Sequence, residues 1–84
     1  MLTEYIHAAM RRAKYSDLGD EGFAGEIPEC PGLLGHGASL EACRDDLVGA
    51  LESWILVGLW RHDQLPVIDG IDLNIAHQKK DEAA

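Results

Sequence analysis

Between Phe23 and Ala42 the chain reads FAGEIPECPGLLGHGASLEA, and few folds can accept that order of residues. Phe23, Gly25 and Ile27 alternate with Ala24 and Glu26, the two-residue period of a half-buried strand. Pro28 has no N–H to give a sheet ladder, so the strand ends there or lies at an edge. Pro31-Gly32 is a turn dipeptide, with proline fixing φ and glycine free to take φ > 0. Leu33 to His36 then reads as a short strand, and Gly35 and Gly37 bracket His36 where the chain must bend again. Ser39 is placed to accept the first free N–H groups of a helix, and Glu41 suits that helix's positive end.

The flanks fit an α+β domain. Leu2, Tyr5, Ile6, Ala9, Met10 and Ala13 fall on one helical face, with Thr3 as the expected N-cap and Arg11, Arg12 and Lys14 at the C-terminal end. Lys14 to Leu18 reads as a strand, and Gly19-Asp20-Glu21-Gly22 as the turn of a hairpin with Phe23 to Ile27. A long helix is expected from about Leu40 to Arg61, with Leu40, Cys43, Leu47, Ala50, Leu51 and Trp54 as its core stripe. Ile71, Leu73 and Ile75 alternate with polar residues after an Asp69-Gly70 turn and predict a last strand. The predicted order is α-β-β-β-α-β, a small antiparallel sheet against two helices, in one domain over 1–84. The ordered part is expected over 2–76, with 77–84 as a tail.

The second half of the long helix is unusual. From Trp54 to Trp60 it is apolar all the way round, so it must be buried all round. One sheet covers one side only. The first helix can supply part of the cover and a second copy of the chain, or another protein, the rest; an oligomer is expected. Trp54 continues the core stripe, which leaves Ile55, Leu59 and Trp60 as candidate interface residues.

Seven Lys+Arg stand against fifteen Asp+Glu, a formal charge of −8. Asp17, Asp20, Glu21, Glu26, Glu29, Glu41, Asp45, Asp46 and Glu52 share their stretch with a single base, Arg44. Such a field disfavours phosphate backbones; it suits either a basic partner or a solvated surface that keeps the chain soluble. No apolar run approaches the length of a membrane span. Cys30 and Cys43 form no CxxC motif, and Met1 leads straight into a helical pattern. Both cysteines therefore read as free thiols in a reducing cytoplasm; a bridge between them is the other arrangement the spacing allows.

No residue set speaks for catalysis, a metal or a cofactor. His7, His36, His62 and His77 share no i, i+4 relation and no ligand spacing with cysteine. Ser39 is accounted for by capping, and no Gly-x-Ser-x-Gly elbow surrounds any serine. Asp17 and Glu26 could hold a divalent ion if the hairpin brought them together, the basis of an alternative reading as a degenerate metal-dependent nuclease or small-ligand domain.

The spacing of Phe23, Ile27, Pro28, Glu29, Pro31, Gly32, Gly37, Ser39, Leu40 and Glu41 resembles the HicB-like antitoxin family. The resemblance extends in weaker form from Leu2 to Ile75. It implies a partial RNase H-like fold and a role in a type II toxin–antitoxin pair, neutralising a basic HicA-like mRNA-cleaving toxin by binding it. The family-motif residues Ile27, Pro28, Pro31, Gly32, Gly37, Ser39 and Glu41 shape turns and a cap and carry no chemistry. Full-length HicB-like proteins usually add a DNA-binding domain. Only nine residues follow Ile75 here, so this chain is expected not to bind DNA directly.

Overall fold

The computed structural model describes residues 1–74. Helix α1 spans Leu2–Arg11, strands β1, β2 and β3 span Lys14–Asp17, Phe23–Glu26 and Leu34–Gly37, and helix α2 spans Leu40–Trp60. The fold class is α+β, and the order through α2 is the expected one. The three strands form one antiparallel meander in the order β1-β2-β3.

Register follows from the alternation. Tyr15, Gly25 and Gly35 stand side by side on the face that meets α2, and Gly37 follows Phe23 at its end. Lys14, Ser16, Ala24, Glu26, Leu34 and His36 occupy the opposite, open face. The glycines let α2 approach the sheet at backbone distance. A Cβ on Gly37 would lie 2.3 Å from the Cys43 nitrogen, and one on Gly35 would lie 2.8 Å from the Leu47 Cα.

Two successive turns join β2 to β3. The Cys30 N–H donates to the Ile27 carbonyl at 2.8 Å, and the Leu33 N–H donates to the Cys30 carbonyl at 3.2 Å. Pro28 and Pro31 each take the second position of their turn, where a fixed φ is an advantage. Gly32 has φ +84°, as the third position of a type II turn requires. Ser39, in extended conformation, caps α2 by accepting the Ala42 N–H at 3.1 Å.

The core lies between the sheet, α1, α2 and the segment after α2. Tyr5, Ile27, Cys30, Leu47, Leu51, Ile55 and Ile68 are almost fully enclosed. Each fully buried Ile or Leu contributes roughly 1.5–3 kcal/mol. The Tyr5 hydroxyl donates to the Pro66 carbonyl at 2.7 Å and ties α1 to that segment.

The first helix departs from the expectation at its start. Met1, not Thr3, is its N-cap, and no side chain caps it. The Met1 amino group pairs with Glu4 at 2.6 Å instead. Its most buried side is Tyr5, Ala8 and Ala9, while Leu2 stays exposed.

The expected last strand does not form over 71–74. Asp69 and Gly70 do make the turn, with φ 50° and 76°, and Ile68 and Ile71 exchange both backbone hydrogen bonds across it. The chain then turns again: the Asn74 N–H bonds Asp72, and the buried Asn74 amide accepts the Leu65 N–H at 3.0 Å and donates to the Leu65 carbonyl at 2.7 Å. A side chain thus satisfies the backbone groups that a strand partner would have taken. Ile75 and the expected tail lie outside the described residues.

Candidate functional site

The helix α2 is the element that organises the surface. Its buried row is Cys43, Leu47, Leu51, Ile55 and Gly58. That row is set by close contact with β3, and it corrects the expected stripe in two places. Leu40 is half exposed, and Ile55 is only 1% exposed, so Ile55 belongs to the protomer core and is withdrawn as an interface candidate. Trp54, expected in the core, is partly buried against it. Leu59 is also partly buried, lining a small cavity with Leu2, Ile6, Ile55 and Leu56. Of the three interface candidates only Trp60, 81% exposed, faces water fully.

Leu34, and Leu56 and Val57 of the all-round apolar run, are also large, apolar and exposed, though not among the expected interface residues. The i, i+4 row from Cys43 to Ile55 was visible in the chain and would have pointed to Leu56 and Val57 on the far side. Between β3 and the second half of α2 runs an open groove of about 490 Å³, lined in part by Leu34, Trp54, Val57 and Arg61.

At the end of α2 the Asp63 N–H bonds the Gly58 carbonyl and the His62 N–H bonds the Leu59 carbonyl. This pair of bonds closes the helix with His62 at φ 62°, in the left-handed position usually taken by glycine. The chain then folds back, and Leu65 crosses over Gly58, where a Cβ would come within 2.6 Å of it.

The acidic residues face outward. Asp20, Glu21, Glu26, Glu41, Asp45 and Glu52 are all exposed. Three of the nine are engaged locally: Asp17 accepts the Gly19 N–H, Asp46 accepts the His36 N–H on β3, and Glu29 pairs with Arg12 at 3.0 Å. Arg12 and Arg11 also pair with Asp69. Those hydrogen bonds hold the Asp69 carboxyl below its ordinary range and raise the Arg12 guanidinium. The basic cluster of α1 therefore ties the helix end to the turns at Glu29 and Asp69, and the acidic stretch keeps its negative field.

The register also bears on the metal reading. Asp17 pairs with Phe23 and Glu26 with Lys14, at opposite ends of the hairpin and on opposite faces of the sheet. The sheet does not bring the two carboxylates together. Cys30 and Cys43 are free and buried, and loss of solvent pushes the Cys30 thiol up to about 11. The family-motif residues take structural posts: Ile27 is core, Pro28 and Pro31 shape exposed turns, Gly32 takes the positive φ, Gly37 admits the helix, Ser39 caps it, and Glu41 lies in its first turn.

The family profile described as UPF0150-like matches residues 4–66, from α1 to the segment after α2. The chain belongs to the UPF0150-like family. A crystal structure of TTHA0281 from Thermus thermophilus is similar over 86% of this chain and 90% of that one, with 40% identity and a TM-score of 0.80. Among curated proteins none matches. The family match covers the hairpins and the whole of α2, so the outward acids and the exposed side of α2 both lie inside this UPF0150-like unit. No helix among the described residues is long and apolar enough to cross a membrane.

Proposed function

We propose that this chain acts by binding a protein, as the HicB-like antitoxin of a type II pair that covers a basic HicA-like mRNA-cleaving toxin. The observation that carries the reading is the outward acidic surface, whose carboxylates at Asp20, Glu21, Glu26, Glu41, Asp45 and Glu52 are spent on no internal cation pair among the described residues. Such a surface repels RNA and draws in the basic protein that would otherwise grip it. The HicB-like spacing from Phe23 to Glu41 supports it, as does membership of the UPF0150-like family. On this reading the chain binds rather than catalyses and does not itself touch DNA. It works in the cytoplasm, where Cys30 and Cys43 stay reduced.

The test is to look for a small basic protein encoded beside this chain, produce it, and measure its RNA cleavage with and without this chain; the absence of such a neighbour would count against the reading. The expected result is a stable complex, loss of cleavage, and association that slows steeply as salt rises past about 0.1 M. Reversing Asp20, Glu21 and Glu26 to Lys should slow association most. RNA cleavage by this chain alone, abolished by Asp17→Asn or Glu26→Gln, would overturn the reading in favour of a nuclease.

A further inference from the structure

The second half of α2 has one side that nothing among the described residues covers. The sheet and the segment after α2 enclose Leu51, Ile55 and Gly58. On the next side, Leu2 and Ile6 of α1 line a small cavity with Ile55, Leu59 and the edge of Leu56. The remaining side is a stripe of Gly49, Ser53, Leu56, Val57 and Trp60, spaced i, i+4, i+7, i+8 and i+11. All five are exposed, Leu56 by 63%, Val57 by 50% and Trp60 by 81%. Single exposed apolar residues are ordinary, but a contiguous row of this size marks an interaction surface.

The stripe fits its own reverse. Its bulky end is Trp60 and its bare end is Gly49, where an added Cβ would meet nothing within 4 Å. Laid antiparallel on a second copy, each indole falls over the other copy's glycine. The small Ser53 then faces Leu56 and Val57 near the crossing. The charges reverse in the same sense. The helix carries Asp45 and Asp46 on the approach to the stripe and Arg61 just past it, so antiparallel packing brings each Arg61 toward the acids of the other copy. Asp46 gives one oxygen to the His36 N–H and keeps the other for such a contact. The Arg61 pairing with Asp63 within the chain is long, at 3.8 Å and largely exposed, and is easily exchanged. A uniformly basic partner would find Arg61 repulsive here, whereas a second copy does not.

We infer that this face is a homodimer interface, in which α2 packs antiparallel on α2 of a second copy across a two-fold axis between Ser53 and Leu56. Each Trp60 sits on the other copy's Gly49. The same patch serves both copies, as a closed two-fold contact demands. The acidic hairpin turn and open sheet face are left clear, so the inference stands apart from the identity of any toxin.

The experiment is the solution mass of the purified chain by sedimentation, with circular dichroism to confirm folding. The wild type should sediment at twice its 9.2 kDa mass at micromolar concentration. Trp60→Ala removes the knob, and Gly49→Trp fills the seat at a position where an added Cβ meets nothing within 4 Å; each alone should weaken the dimer at least about tenfold. Mixed in equal amounts, the two variants should pair with each other, because the mixed dimer matches one added indole with one missing indole at one contact and keeps the native pair at the other. A wild type that stays monomeric at about 100 μM, or variants whose dimer constant is unchanged, would overturn the proposal. So would a monomeric wild type whose Trp60→Ala form loses toxin binding, which would assign the face to the toxin.

Discussion

The two halves of α2 solve the same packing problem in different ways. The first half, from Leu40 to Gly49, rests on glycines of β3 and shows charge to water: Glu41, Arg44, Asp45 and Asp46 are all exposed. Its buried side is narrow, Cys43 and Leu47, and lies against the sheet and the core next to α1. The second half buries Leu51, Ile55 and Gly58 against the rest of the protomer and still turns Leu56, Val57 and Trp60 outward. One half is completed by its own chain, and the other has apolar surface to spare. The contrast separates what holds the fold from what is free to bind: replacements under the first half should cost stability, and replacements on the outer side of the second half should cost association.

The largest effect is expected where the backbones meet. Gly37→Ala would place a Cβ 2.3 Å from the Cys43 nitrogen and 2.6 Å from the Ala42 carbonyl carbon. Neither can yield without moving the start of α2, so the loss should be about 3 kcal/mol or more. A denaturant midpoint close to wild type would show that the helix does not sit directly on β3, and the comparison would fail at its first term.

The second half offers a sharper pair. Ile55→Ala should cost about 2–5 kcal/mol whatever the protein concentration, because Ile55 is a core residue. Val57→Ala, one turn-edge away and half exposed, should cost no more than about 0.5 kcal/mol in the monomer. Any larger Val57 effect should appear only at concentrations where the chain dimerises. Equal losses at the two sites in dilute solution would mean that the boundary between core and free surface is misplaced.

Most of the fold was legible because its signals are local. Proline placement, the Gly32 turn, the Ser39 cap and the Asp69-Gly70 turn each act within a few residues, and each stands where the chain indicated. What was hidden depends on distant contacts. The rotation of α2 is fixed by Gly35 and Gly37 pressing on Leu47 and Cys43, and a turn of the stripe by one position moved Ile55 inward. Over 71–74 the expected last strand is absent for a similar reason. Alternation at Ile71 and Leu73 signals burial, but the backbone of this segment is satisfied by Asn74 bonding Leu65, a contact no period reveals. For the acidic surface, the chain showed its charge, and the structure added which carboxylates are engaged locally.

Gly32 ranks next in expected effect. It has open space around it but a φ of +84°, so its cost is torsional where that of Gly37 is steric. Gly32→Val should destabilise by about 1–3 kcal/mol. Gly32→Ala should lie at the low end, about 1 kcal/mol. A neutral valine variant would require another turn type between β2 and β3.

The smallest expected effect is a pH dependence, and it too distinguishes regions of the core. Burial raises Tyr5 to about 12 and Cys30 to about 11, from ordinary values of 10.0 and 9.0. Both are neutral acids in the folded state, and unfolding lets them ionise earlier. Their contribution is therefore complete below pH 9 and is lost as pH rises, through about 11 for Cys30 and about 12 for Tyr5. Cys43, beneath the first half of α2, shifts in the same direction for the same reason. The measurement is the denaturant midpoint from pH 8 to 11 for wild type, Cys30→Ala and Cys43→Ala. Removing Cys30 should flatten the alkaline decline, whatever it costs at neutral pH. If the decline is unchanged in both cysteine variants, the thiols are reaching water, and the seal around Tyr5, Cys30 and the segment after α2 is looser than the contacts of Pro66 and Asn74 indicate.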